Sequence, residues 1–180
     1  MIRLRPWKRE ELKELLGWFS DEEEFSRWSA GKFSYPLTEE QLLDYYERFE
    51  KDRCGWIMAA LGDSGHLAGH IMMRKADYER NSVHFGFIVV SPAFRGKGTG
   101  RLMVSQGLKY AGEILGMKRA TLGVFENNPA ARRCYESVGF RTEEILKDEF
   151  DYHGEKWTLL NMTAEIGEQS GENGDRKSGG

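Results

Sequence analysis

The sequence predicts an α/β fold in which helices sit on one mixed sheet. Two observations lead there. Three strand-like runs in the middle of the chain are separated by turn signals, which reads as an antiparallel meander, and a strand–helix–strand crossover follows them. A meander joined to a crossover cannot make a purely parallel or purely antiparallel sheet.

The elements follow in chain order. Ile2 and Leu4 alternate with Arg3 and Arg5 as in a short half-buried strand, which Pro6 ends. Ser20-Asp21-Glu22-Glu23 and Thr38-Glu39-Glu40-Gln41 each match a capping box and so open two helices. The acidic run from Asp21 to Glu24 is explained by the helix dipole, with recognition of a cationic substrate as the alternative. Trp56 to Leu61, Leu67 to Arg74 and Val83 to Val90 are the three central strands, and Gly62-Asp63-Ser64-Gly65 marks a hairpin between the first two. From Thr99 to Leu115 the period becomes helical, with Val104, Leu108, Ala111 and Leu115 on one stripe and Gly116 as the stop. A strand at Ala120 to Phe125 precedes a short helix capped by Asn128, with Pro129 first and Gly139 beyond its end. Phe140 to Lys147 and Lys156 to Met162 read as two last strands joined around His153-Gly154. Residues 1–166 form one domain. Residues 167–180 lack any large apolar side chain and are expected to be a flexible tail.

Composition narrows the function classes. With 180 residues, 39% of them hydrophobic, the chain can bury a sizeable core. A formal net charge of -3 argues against a general nucleic-acid binder. Two cysteines, Cys54 and Cys134, make no disulfide framework, which fits a reducing, cytoplasmic setting. Charges interrupt every apolar run before bilayer length, and the start lacks the apolar region of a signal peptide, so no membrane role is expected.

The stretch most informative about chemistry runs from Val89 to Arg101, where a strand and a turn lead through Arg95-Gly96-Lys97-Gly98-Thr99-Gly100-Arg101 into a helix. Free amides at a helix start, with glycines that let a ligand approach, suit a phosphate; a plain structural turn is the alternative. Arg95, Lys97 and Arg101 add positive charge there. A Walker loop is excluded because Gly98 follows the only Gly-Lys of the loop, and the dinucleotide fingerprint because Arg101 stands where its third glycine belongs. Arg-Gly-x-Gly-x-Gly after a buried strand resembles the pyrophosphate loop of the GCN5-related N-acetyltransferase (GNAT) superfamily. A second motif, Asn128-Pro129-Ala130-Ala131-Arg132-Arg133-Cys134-Tyr135 with Gly139-Phe140 after it, is similar to that family's second signature.

The resemblance implies a mostly antiparallel twisted sheet of six to seven strands with a splayed central parallel pair, and acetyl-CoA as cosubstrate in that gap. Backbone groups of Ile88, Val89 and Val90 would pair with the pantetheine arm, residues Arg95 to Gly100 would hold the pyrophosphate, and Asn128 would reach the arm as well as capping its helix. Tyr135 would protonate the leaving thiolate, a core aromatic being the alternative, and a backbone amide near Val89 would hold the oxyanion. Where some members carry a glutamate base, this chain has Gly123. His84 is the candidate base instead, on a strand face that simple alternation shares with Gly86 and Ile88, with Glu79 or Asp77 behind it. A packed or exposed strand histidine is the other reading of His84.

No metal is expected, His66 and His70 being four apart on a turn and strand. Cys134 reads as packed, not nucleophilic. Aromatic residues near the acceptor side, Trp18, Phe19, Phe25, Trp28, Tyr35, Tyr45, Tyr46, Tyr152 and Trp157, are mostly core. The expected activity is acetyl transfer in a ternary complex to a primary amine of a small molecule or a peptide. A non-catalytic acyl-CoA-binding module is the alternative, and a sheet edge could support a homodimer.

Overall fold

The computed structural model describes residues 1–167, so the tail expected at 167–180 lies, but for its first residue, outside the described residues. Seven strands form one sheet in the order β1-β2-β3-β4-β5-β7-β6. These are β1 (Arg3–Pro6), β2 (Trp56–Leu61), β3 (Leu67–Asp77), β4 (Ser82–Val90), β5 (Arg119–Phe125), β6 (Arg141–Tyr152) and β7 (Glu155–Glu165). All neighbours are antiparallel except β4 and β5. The helices are α1 (Glu22–Ser29), α2 (Glu39–Lys51), α3 (Thr99–Glu113) and α4 (Pro129–Glu136). Among the described residues no helix is long and apolar enough to cross a membrane.

The sheet separates two cores. On one face α3 and α4 bury Met103, Val104, Ala111 and Tyr135 against Ile71, Phe85, Leu122 and Phe140. On the other, the N-terminal segment and α1 and α2 bury Trp7, Leu12, Leu15, Phe25, Leu42 and Tyr45 against Ile57, Met72 and Val89. Alternation along β2 to β4 supplies both sets, which is why these strands read as near-continuous apolar runs.

Several local expectations shift. The α1 cap is Asp21, not Ser20: the Asp21 carboxylate accepts from the Glu24 amide while the Glu24 carboxylate reaches back to the Ser20 N–H at 2.9 Å. At α2 the Thr38 hydroxyl accepts from the Gln41 amide, but the Gln41 side chain turns to the carbonyls of Ser34 and Pro36. A 3-10 segment at Arg9–Gly17 was not anticipated; it buries Leu12 and Leu15, and Trp18 follows at the same three-residue step. The last hairpin turns at His153-Gly154 as expected, both at positive φ, but its strands run longer, to Arg141–Tyr152 and Glu155–Glu165.

The largest departure is in β4. Its pairing with β3 jumps from Met72↔Gly86 to His70↔Val89, so Phe87 and Ile88 together face Ile71 in a β-bulge. Phe87 packs on the α1/α2 side and Ile88 on the α3/α4 side. Simple alternation therefore fails, and Ile88 does not share a face with His84.

Candidate functional site

Parallel pairing between β4 and β5 stops after four residue pairs, Ser82↔Arg119 through Phe85↔Leu122. Beyond that point β5 stays with β7 out to Phe125↔Leu159, while β4 continues beside β3 to Val90. The strands diverge, and a cleft of about 880 Å³ opens between them. That is within the roughly 300–1,000 Å³ usual for small-molecule sites. Its walls are the free end of β4, the loop into α3, the start of α4, and α1.

At one end of the cleft lies the glycine-rich loop. Gly96 and Gly98 sit at φ +72° and +73°, the left-handed region that favours glycine, and a Cβ at either would meet nothing within 4 Å. Gly98 is the cap position of α3, no side chain caps that helix, and its first turn holds no acidic residue. The first amides of α3 therefore keep their hydrogens for an outside acceptor, with the positive dipole end behind them. Arg101 and Arg133 are exposed beside this end and line it. A diphosphate fits these donors.

Two of the three basic residues of the loop have protein partners. Arg95 donates from Nε to the Val90 carbonyl at 3.0 Å and from its terminal nitrogens to the Trp18 carbonyl and to Glu24, the last at 2.7 Å. It straps the loop to α1 as much as it adds charge. Lys97 donates to the Ala93 carbonyl at 2.9 Å and does not line the cleft. Arg95→Ala is expected to weaken CoA binding about tenfold, on the scale of one charge-assisted hydrogen bond, with a salt dependence like that of wild type. Calorimetry at two ionic strengths checks it; wild-type affinity would exclude the strap from coenzyme binding.

The second signature forms α4. Asn128 caps it, its Oδ1 accepting from the Ala131 amide at 3.2 Å, and lines the cleft. Tyr135 is 7% exposed, stands edge-on to Phe140, and also lines the cleft. Burial, and then Cys134 beside it, push its hydroxyl above the ordinary tyrosine value. It holds its proton at neutral pH. Burial likewise raises the Cys134 thiol, which removes the thiolate a covalent route would need.

Ile88, Val89 and Val90 line the cleft, as do Gly96, Gly98, Thr99, Gly100 and Arg101. His84 does not. Its ring lies on the α1/α2 side of the sheet, hydrogen-bonded at 3.0 Å to Thr121, and burial with the charges of Arg74 and Lys75 lowers its pKa to about 4. A base that weak, outside the cleft, is poorly suited to deprotonate an amine there. Asp77 accepts from the amides of Glu79 and Arg80 in the β3–β4 turn, also outside the cleft lining. His66 is exposed on Ser64 whereas His70 is fully buried, so the two do not meet.

Polar residues that the sequence alone did not assign to the cleft include Arg27, Asn127 and Arg133, and Asp21 and Glu24, read first as a helix start, line it too. Of the aromatic candidates only Phe19 and Trp28 line it; Trp18, Phe25, Tyr45 and Trp157 are buried core. The Asp21 carboxyl is held below the usual carboxylate range by the Glu24 amide and the Ser20 hydroxyl. The end of the cleft against α1 is thus aromatic, with Glu24 paired to Arg95, Arg27 paired to Glu23, and Asp21 as its carboxylate outside these ion pairs.

Comparison with known proteins agrees in scope with this geometry. The acetyltransferase (GNAT) domain family matches residues 2–141. A spermidine N(1)-acetyltransferase of Vibrio cholerae is 33% identical over 89 residues, 49% of this chain and 51% of that protein. The chain thus spans about half the length of this relative. A spermidine N(1)-acetyltransferase of Escherichia coli K12 is 24% identical over 161 residues, 89% of this chain and 84% of the relative. The crystal structure of the Vibrio cholerae spermidine N-acetyltransferase with CoA and spermine superposes with a TM-score of 0.79 at 23% identity, covering 92% of this chain and 95% of that one. The fold is shared.

Proposed function

The chain belongs to the GNAT acetyltransferase family, and on that premise we propose that it transfers the acetyl group of acetyl-CoA to a primary amine of a small molecule, a polyamine in the first instance. One observation carries the reading: β4 and β5 part over a cleft that ends in the uncapped, glycine-lined start of α3. Relatives named as spermidine acetyltransferases, and the Asp21 carboxylate beside the aromatic wall of α1, support the choice of acceptor.

In this reading the amides from Gly96 to Arg101 take the diphosphate, with Arg101 and Arg133 adding charge at its rim. The pantetheine arm lies along the open edge of β4 from Ile88 to Val90, and Asn128 reaches it from the other side. A neutral amine nitrogen attacks the thioester carbonyl carbon, forming the C–N bond as the C=O electrons move onto oxygen. A backbone amide of the Ile88–Val89 segment receives that oxyanion, an interaction worth ~3–4 kcal/mol when preorganised. The intermediate then breaks its C–S bond, and the sulfur takes a proton from the Tyr135 hydroxyl. The amine's surplus proton leaves to water, and solvent restores the phenol. Asp21 holds the remote positive charge of the acceptor, Glu24 being paired with Arg95, and Phe19 and Trp28 lie against its methylenes.

Thiol release from acetyl-CoA with spermidine, spermine, an aminoglycoside and a lysine peptide tests this. Turnover with the polyamines, and a product heavier by one acetyl group, is the expected result. Coenzyme binding with no turnover on any amine would replace the enzyme by a binding module, and turnover on the peptide alone would replace the acceptor.

A further inference from the structure

Beside the bulge of β4, strand β3 carries a histidine with no part in the chemistry so far. His70 is fully buried, beneath Trp7 and Trp28 and against Tyr45. Its Nδ1 lies 2.7 Å from the carbonyl oxygen of Phe87, and its Nε2 lies 3.4 Å from the Tyr45 hydroxyl. A carbonyl only accepts, so Nδ1 carries the proton and Nε2 accepts from Tyr45. Burial lowers the His70 pKa to about 4, which keeps the ring neutral in this one tautomer at ordinary pH.

Phe87 is the residue that makes the bulge. It sits at φ +46°, a conformation that is unfavourable for a residue with a side chain and persists only where the surroundings enforce it. Trp28, Phe33 and Tyr45 hold its ring, and His70 holds its carbonyl. The peptide joining Phe87 to Ile88 is trans and planar, so its oxygen and its N–H point in opposite directions. With the oxygen fixed toward the β3 side chain, the Ile88 N–H is turned away from β3, to the side where β5 has diverged.

We propose that His70 is a positioning residue for acetyl transfer, which by holding the Phe87 carbonyl aims the Ile88 amide at the thioester carbonyl where the oxyanion forms. This rests on the acetyltransferase reading above. Isotope-edited infrared spectra of bound acetyl-CoA, labelled at the acetyl carbonyl, read the contact without any acceptor amine. The carbonyl stretch is expected at the same low wavenumber in wild type and in His70→Asn, whose side-chain amide places a donor near the Nδ1 position, and at a higher one in His70→Leu. In kinetics, His70→Leu lowers kcat about thirtyfold with KM for acetyl-CoA within about threefold, and His70→Asn restores most of it. An unchanged stretch in His70→Leu overturns the assignment, and so does a joint loss of kcat and coenzyme affinity that His70→Asn fails to rescue. Should the leucine variant not fold, His70→Gln takes its place, since its donor falls near the Nε2 position. A stretch displaced in His70→Gln but not in His70→Asn supports the role, and equal stretches exclude it. If wild type acetylates no amine, the acceptor chemistry is what fails, and the spectra still decide the role of His70.

Discussion

Replacing Tyr135 by Phe is expected to lower kcat about a hundredfold while leaving affinity for CoA within about threefold. The change removes one oxygen and keeps the ring, which stays buried edge-on to Phe140, so the packing of α4 against the sheet survives. On the proposed mechanism, what is lost is the proton for the departing sulfur. Because burial raises the Tyr135 pKa, the acid form persists well past neutrality, and this group causes no fall in rate with rising pH through the usual assay range. Steady-state rates and calorimetry on the same preparation separate the two effects. An unchanged kcat would take Tyr135 out of the reaction.

Gly98→Asp is expected to weaken CoA binding about a hundredfold, set by a carboxylate placed where the diphosphate is proposed to sit. Gly98 has φ +73° and open space around its Cβ position, and Asp tolerates the left-handed region better than most residues. The fold is therefore retained, which thermal unfolding verifies. Gly98→Asn supplies the control: the same shape without the charge should cost about tenfold or less. Equal losses in the two variants would show that backbone strain, not electrostatics, governs the loop.

Both predictions concern the parts of the site that were legible in the sequence. The loop and the α4 signature are contiguous segments whose local chemistry, positive φ at glycines and an Asn–Pro helix start, can be read from neighbouring residues alone. The parts that were not legible depend on pairing between distant segments. Phe87 adopts its conformation because Ile71 lies across from it and His70 reaches its carbonyl, so the face of Ile88 cannot be counted out along β4 alone. His70 itself read only as one of two histidines four apart. The role of Arg95 was obscured in the same way, since its partners Trp18 and Glu24 lie more than 70 residues away in sequence. For Arg9–Gly17 a signal existed in the three-residue steps Leu12, Leu15, Trp18, set among charges that masked it. The long final strands were hidden by composition: β6 is an exposed edge rich in acidic residues, without the apolar alternation that marks a half-buried strand.

The sheet keeps two cores apart, and their histories can differ. The layer under α3 and α4 adjoins the glycine-rich loop and Tyr135, while the layer under α1 and α2 adjoins the α1 wall of the cleft. On the proposed reading, drift in the second layer reshapes what the enzyme accepts without disturbing how it grips its donor. Descendants of such a scaffold can acquire new acceptors by repacking Trp7, Phe25 or Trp28 and still inherit the same coenzyme.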